Sequence, residues 1–165
     1  MAAGATYEPI ATQTLSSAAA TVTFSSISQS YTDLILVATG NTSTGVGLYM
    51  RVGAANTIDT GSNYSVIRLY GYSGGADSDE LNGLDFWYVS TGAFNDANTI
   101  LNLQNYSNTT TYKTFISRQN SPTAWVNSSA GLWRSTSAIN KIELYLPSGN
   151  ISAGSTFTLY GIKAA

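Results

Sequence analysis

The sequence predicts an all-β domain, an antiparallel β-sandwich of about ten short strands, and three observations carry that expectation. Thr, Ser, Gly, Asn and Tyr dominate while Lys and Glu are scarce, a composition that favours strands and turns over helices. Short runs of β-branched, aromatic and aliphatic residues recur with turn signals between them. In several runs apolar and polar residues alternate at the period of two that a strand imposes. The 165 residues suit one domain, and no linker, charge run or fixed-period repeat divides them.

In chain order, the strand-like runs fall around residues 6–14, 20–25, 32–39, 47–52, 64–72, 84–90, 99–105, 114–118, 124–133, 141–146 and 156–163. The first run, through Tyr7 and Pro9, is expected as an N-terminal strand or contact arm within residues 1–14. The "TLSSAAAT" that follows is the only stretch with some helix propensity, weakened by its Ser and Thr neighbours. In "DLILVAT", Leu34, Leu36 and Ala38 share one face and Ile35 and Val37 the other, so both sides should be covered. In "KIELYLP", Ile142, Leu144 and Leu146 point one way and Lys141, Glu143 and Tyr145 the other, a strand with one wet side. The last run, "TFTLYGIK", alternates Phe157 and Leu159 with Tyr160 and Ile162; one face fills a core and the second needs a neighbour. The segments "TGNTSTG", "DTGSN", "GYSGGADSD", "NTTT", "RQNSP" and "LPSGNISAGS" read as turns and loops.

The composition narrows function mostly by exclusion. There is no Cys and no His, so disulfides, thiolate metal sites, Ser-His-Asp and Cys-His catalysis are all outside the chain's chemistry. Charged residues make up 10% of the chain and the net charge is -2, which provides no basic field for nucleic acid or for an anionic membrane. No run approaches the roughly 18 apolar residues of a membrane-spanning helix, and a signal peptide or anchor is not expected. No cofactor is expected.

Asp77, Asp79, Glu80 and Asp85 crowd into "GGADSDELNGLD", which makes Asp77, Asp79 and Glu80 a weak candidate for a hard cation. The segment departs from a calcium loop at its fifth and twelfth positions, Leu81 and Tyr88, so an acidic, solvated hairpin tip is the favoured reading. A glycosidase pair made of the same acids is disfavoured because no aromatic subsite pattern surrounds them. Eleven Tyr, three Trp and five Phe leave room for partner contacts beyond ordinary sheet packing. Arg51, Arg68, Arg118 and Arg134, in or beside strands, suit either interfaces or solubility.

The phrases "YTDLILVATG", "GSNYSVIRLYG", "LNLQNYSNTTTYKTFISR", "SSAGLWRSTSAINKIELYLPSGN" and "ISAGSTFTLYGIKAA" occur in an order that resembles a family of bacteriophage virion proteins, found as tail-fibre and head-decoration modules. The resemblance runs from about Ser30 to the C-terminus, and "GSTFTLYGIK" is its strongest signature. It implies a jelly-roll-like sandwich, a homotrimer, the major capsid protein as partner and a place on the outer capsid surface after synthesis in the host cytoplasm. It brings no catalytic residues. A length close to that of the module alone favours a capsid decoration, or cement, protein. Under that reading the candidate subunit or capsid contacts are Tyr7, Pro9, Trp133, Arg134, Tyr160 and Ile162. The alternative is a receptor-binding fibre tip, with Tyr72, Trp87 or Trp125 stacking on host glycans.

Overall fold

The alternating runs form strands that pair antiparallel throughout, in a computed structural model that describes residues 6–90, 92–122 and 125–163. In chain order these are β1 (Tyr7–Thr14), β2 (Thr21–Phe24), β3 (Asp33–Gly40), β4 (Tyr49–Ala54), β5 (Thr57–Ile58), β6 (Tyr64–Tyr72), β7 (Gly75–Leu84), β8 (Trp87–Tyr88), β9 (Ala97–Gln104), β10 (Lys113–Ser121), β11 (Trp125–Trp133), β12 (Lys141–Tyr145) and β13 (Thr156–Ile162). Residues 14–21, the weak helix candidate, contain no helix. Residues 1–5 of the expected N-terminal arm lie outside the described residues.

The strands form an eight-stranded sheet in the order β1-β13-β3-β9-β10-β11-β6-β7 and a five-stranded sheet in the order β2-β12-β4-β5, with β8 on β4. Apolar residues from both sheets meet in one core. Leu34, Leu36, Phe157 and Leu159 from the large sheet face Val22, Phe24, Met50, Val52, Ile142 and Leu144 from the small one, and all are buried. This is a β-sandwich, in which each strand turns alternate residues to the core.

Two elements depart from the sequence reading. The acidic stretch that reads as a loop tip is most of β7, a full edge strand registered on β6 from Tyr64↔Leu84 to Tyr72↔Gly75. Its Gly, Asp, Ser and Asn have poor strand propensity, and the ladder with β6 overrides it. "RQNSP" reads as a turn by the same logic, yet β10 continues through it to Ser121, held by β9 and β11 on its two sides.

One close approach demands glycine. A Cβ at Gly131 would collide with the Ser65 carbonyl and stand 2.5 Å from Trp87 Nε1. The β11-β6 ladder therefore lies close enough to let Trp87 fill the core, where its ring meets Phe115 edge-on at 5.6 Å.

Candidate interaction surface

The two ends of the large sheet distribute polarity in opposite ways. On β3 and β13 the order is conventional: Leu34, Leu36, Phe157 and Leu159 point inward, while Ile35, Val37, Tyr160 and Ile162 lie half-buried on the outer face. The two apolar faces of "DLILVAT" predict cover on both sides; among the described residues the inner one is fully buried and the outer one only partly covered. On β9, β10, β11 and β6 the pattern changes. Thr99, Ser117, Gln119 and Ser129 point inward and are buried beside Leu101, Leu103, Phe115 and Val66, while several large aliphatic side chains point out. Ile67 is 55% exposed, Leu69 60%, Ile100 38%, Ile116 39% and Val126 65%.

Register makes this outward set contiguous. Ile100 lies across from Arg118, Arg118 from Ser128, and Ser128 from Leu69; Ile116 lies across from Ala130, and Ala130 from Ile67. The result is a mixed face four strands wide in which aliphatic side chains alternate with Arg118, Asn120 and Ser128, hollowed by an open concavity of about 810 Å³ walled by Leu69, Gly71, Ile100, Arg118, Val126 and Ser128. Exposed apolar patches beyond a few hundred Å² mark interaction surfaces.

Arg118 stands in the middle of this face, exposed, with neither an ion pair nor a hydrogen bond among the described residues. The other cations are bonded. Arg51 pairs with Asp85 and lies over the Tyr145 ring, and Arg68 pairs with Asp79 through two nitrogens and lies over the Tyr88 ring. Lys163 pairs with Glu8 at 2.7 Å, Arg134 donates to Asn82 at 3.0 Å, and Lys141 donates to the Asn56 carbonyl. Lys113 is buried and donates to the carbonyls of Thr111 and Thr136, and that burial pulls its ammonium below the ordinary lysine value. Of the four arginines picked out from the sequence, Arg118 is thus the one without a bonded partner among the described residues.

The paired arginines belong to an internal block. Tyr49 stacks on Phe86 at 4.1 Å and meets Tyr88 and Tyr145 edge-on. Burial, reinforced by the hydrogen bond with Tyr88, pushes the Tyr49 phenol up to about 12; burial does the same to Tyr145 against the pull of Arg51. These groups stay neutral at physiological pH and fasten β8 to its neighbours.

The acids singled out from the sequence do not assemble into a cation site, and among the described residues no cluster of three potential metal ligands occurs. Asp79 is engaged by Arg68, Asp77 accepts the Ser78 N–H at 2.7 Å, and Glu80 accepts from Asn82 at 2.7 Å. Glu80 shares the outer face with Ile67, and Asp77 borders the concavity.

The candidate contact residues separate into exposed and buried groups. Tyr7, 60% exposed, and Pro9 lie on the edge strand β1, where a residue lacking an N–H is tolerated. Tyr160 and Ile162 lie beside them on the outer face, and Arg134 is exposed at its rim. Trp133 is a correction: it is buried, and its indole donates to Asp59 Oδ2 at 2.6 Å, so it cannot meet a partner. Asp59 also accepts from Gly61 N–H and Asn63. Burial alone would raise its carboxyl; these hydrogen bonds, led by that of Trp133, outweigh burial and hold it below its ordinary value.

Trp87 is a second correction, since it is wholly buried and no glycan can reach its ring. Its two companions do come together. Tyr72 and Trp125 face each other across the β6-β11 ladder with centroids 5.1 Å apart, and Tyr70 joins them at 5.9 Å from Trp125. Gly92 packs directly on the Trp125 ring, while Tyr72 stays 40% exposed. Sequence reading misses Leu69, Ile67, Ile100, Ile116 and Val126, because alternation separates Ile116 from Ser117 without saying which of the two faces out.

No protein-family model matches the chain, and no curated protein matches it. Among solved structures, it is similar to a protein of unknown function from Shewanella oneidensis MR-1, at 8% identity and a TM-score of 0.27, over 98% of this chain and 77% of that one. A likeness of that size carries no argument about fold or function.

Proposed function

We propose that this chain is a non-enzymatic virion structural protein, a capsid decoration (cement) protein that binds the major capsid protein on the outer surface of a bacteriophage head as a trimer of jelly-roll-like sandwiches. The observation that carries the reading is the outer face of the large sheet. A sheet that turns Ile67, Leu69, Ile100, Ile116 and Val126 outward is built to be covered by protein. The motif order ending in "GSTFTLYGIK" supplies the virion context. A protein that binds only the assembled shell stabilises it by its binding free energy, and three copies joined together multiply weak contacts into avidity.

The test is co-sedimentation of purified protein with capsids lacking it, in parallel with intact host cells. The expected result is saturable binding to shells, in multiples of three, and none to cells. A second reading, a receptor-binding tip that recognises host-surface glycans, is favoured by one observation: Tyr72 and Trp125 lie side by side and Tyr72 is open to solvent. Binding to cells, abolished by Tyr72→Ala, with none to shells would establish that reading instead.

A further inference from the structure

We infer that the occupant of the apolar outer face is a second copy of this chain, whose acidic edge strand β7 lies across it with a carboxylate of Asp77 or Glu80 on Arg118. The inference rests on the proposed reading only for the expected number of copies, three.

Three observations converge on this occupant. The first is polarity. The inner side of β9, β10 and β11 mixes buried Thr99, Ser117, Gln119 and Ser129 with Leu101, Leu103 and Phe115, while the outer side carries Ile100, Ile116 and Val126 beside Arg118, Asn120 and Ser128, so some apolar surface is turned outward here. Covering it with another protein surface restores the burial that this chain's own small sheet does not provide.

The second is charge. Arg118 is the cation without a partner among the described residues, and it sits among aliphatic side chains, where an arginine fork is valuable only once it meets a carboxylate. On the same molecule, Asp77 and Glu80 are exposed carboxylates that no cation engages among the described residues. They cannot serve their own Arg118 directly, because β11 and β6 intervene between β10 and β7. Successive strands are spaced by about 4.8 Å, and three such spacings separate the groups. A neighbouring copy brings them within reach.

The third is the edge. β7 pairs with β6 on one side and ends the sheet on the other, leaving a row of backbone groups and acidic side chains available. Face and edge are different patches of one molecule, so the contact is heterologous: each copy offers its face to one neighbour and its edge to another. Such a contact closes into a ring when the rotation between copies permits, and three is the number the proposed function calls for. Asp79, held by Arg68, stays out of the pairing and fixes β7 in position.

The test reads the mass of the purified full-length chain by sedimentation equilibrium between about 1 and 100 µM, a range that spans ordinary self-association constants. Wild type is expected to form a closed oligomer. Leu69→Glu with Val126→Glu, and separately Arg118→Glu, should each yield monomer with unchanged circular dichroism. Asp77→Lys with Glu80→Lys should also yield monomer, and combining these two with Arg118→Glu should restore the oligomer. If the glutamate pair fails to fold, Leu69→Ser with Val126→Ser replaces it. A wild type that stays monomeric at 100 µM, a glutamate or serine pair that leaves the mass unchanged, or a triple charge reversal that remains monomeric would each overturn the inference. A monomeric wild type would remove the trimer from the proposed function as well, whereas binding to the shell stands or falls on co-sedimentation.

Discussion

The β3-β13 end and the β10-β11-β6 end of the large sheet are made of the same kind of strand and are opposites in use. At the first end, Leu34, Leu36, Phe157 and Leu159 lie inside and the side chains facing out are half-buried rather than exposed. At the second, Ser117, Gln119 and Ser129 lie inside while Leu69 and Val126 are exposed. The difference teaches that a strand's alternation identifies two faces without saying which is the core: that depends on which face the smaller sheet packs against. The small sheet reaches the inner face of the second end too, where the Tyr64 hydroxyl accepts from the Val52 N–H and the Trp87 ring meets Phe115.

The sharpest way to break the comparison is to truncate one leucine from each end. Leu36→Ala removes a wholly buried side chain and should cost about 2–5 kcal/mol, measured by urea unfolding. Gly131→Ala should come next, at about 1–3 kcal/mol, because the new methyl group meets the Ser65 carbonyl and the Trp87 indole. A well-tolerated alanine there would mean that the β11-β6 ladder yields easily.

Asp59→Asn should cost about 1–2 kcal/mol at neutral pH, since one amide cannot accept from Trp133, Gly61 and Asn63 as a carboxylate does. Because the folded state holds this carboxyl below its ordinary 3.8, its stabilisation is complete above that value and is lost as the pH falls through the depressed one. The variant should therefore lose part of the acid dependence of stability below about pH 4.

Thr99→Val tests the polar interior. Thr99 Oγ1 is buried without a hydrogen-bond partner, so an apolar side chain of the same shape should be neutral or stabilising by up to about 1 kcal/mol in thermal melts. The smallest effect belongs to the other end's counterpart of Leu36. Leu69→Ala in dilute, monomeric protein should change stability by less than about 0.5 kcal/mol, because its side chain already faces water. A large loss there would show that Leu69 supports the fold, and the two ends would no longer differ.

Much of this architecture is legible in the chain. Period-two alternation locates β3, β12 and β13 and assigns the inward residues of β12 and β13 correctly, since one face of each suits a core better than the other. It fails at β7, whose Asp, Gly, Ser and Asn spell a loop and whose strand exists because β6 supplies its partner. It fails again for Trp87 and Trp133, because an aromatic ring suits a core or an interface equally well and nothing local decides between them.

By itself, then, the sequence determined an antiparallel all-β sandwich without cysteine or histidine chemistry, because propensity, alternation and composition are properties of neighbouring residues. Which Arg remained unpaired, which acids were consumed, which aromatics met and which face of β10 stayed open were decided only by the tertiary structure. Those outcomes depend on register between strands distant in sequence and on which face of the large sheet the small one packs against.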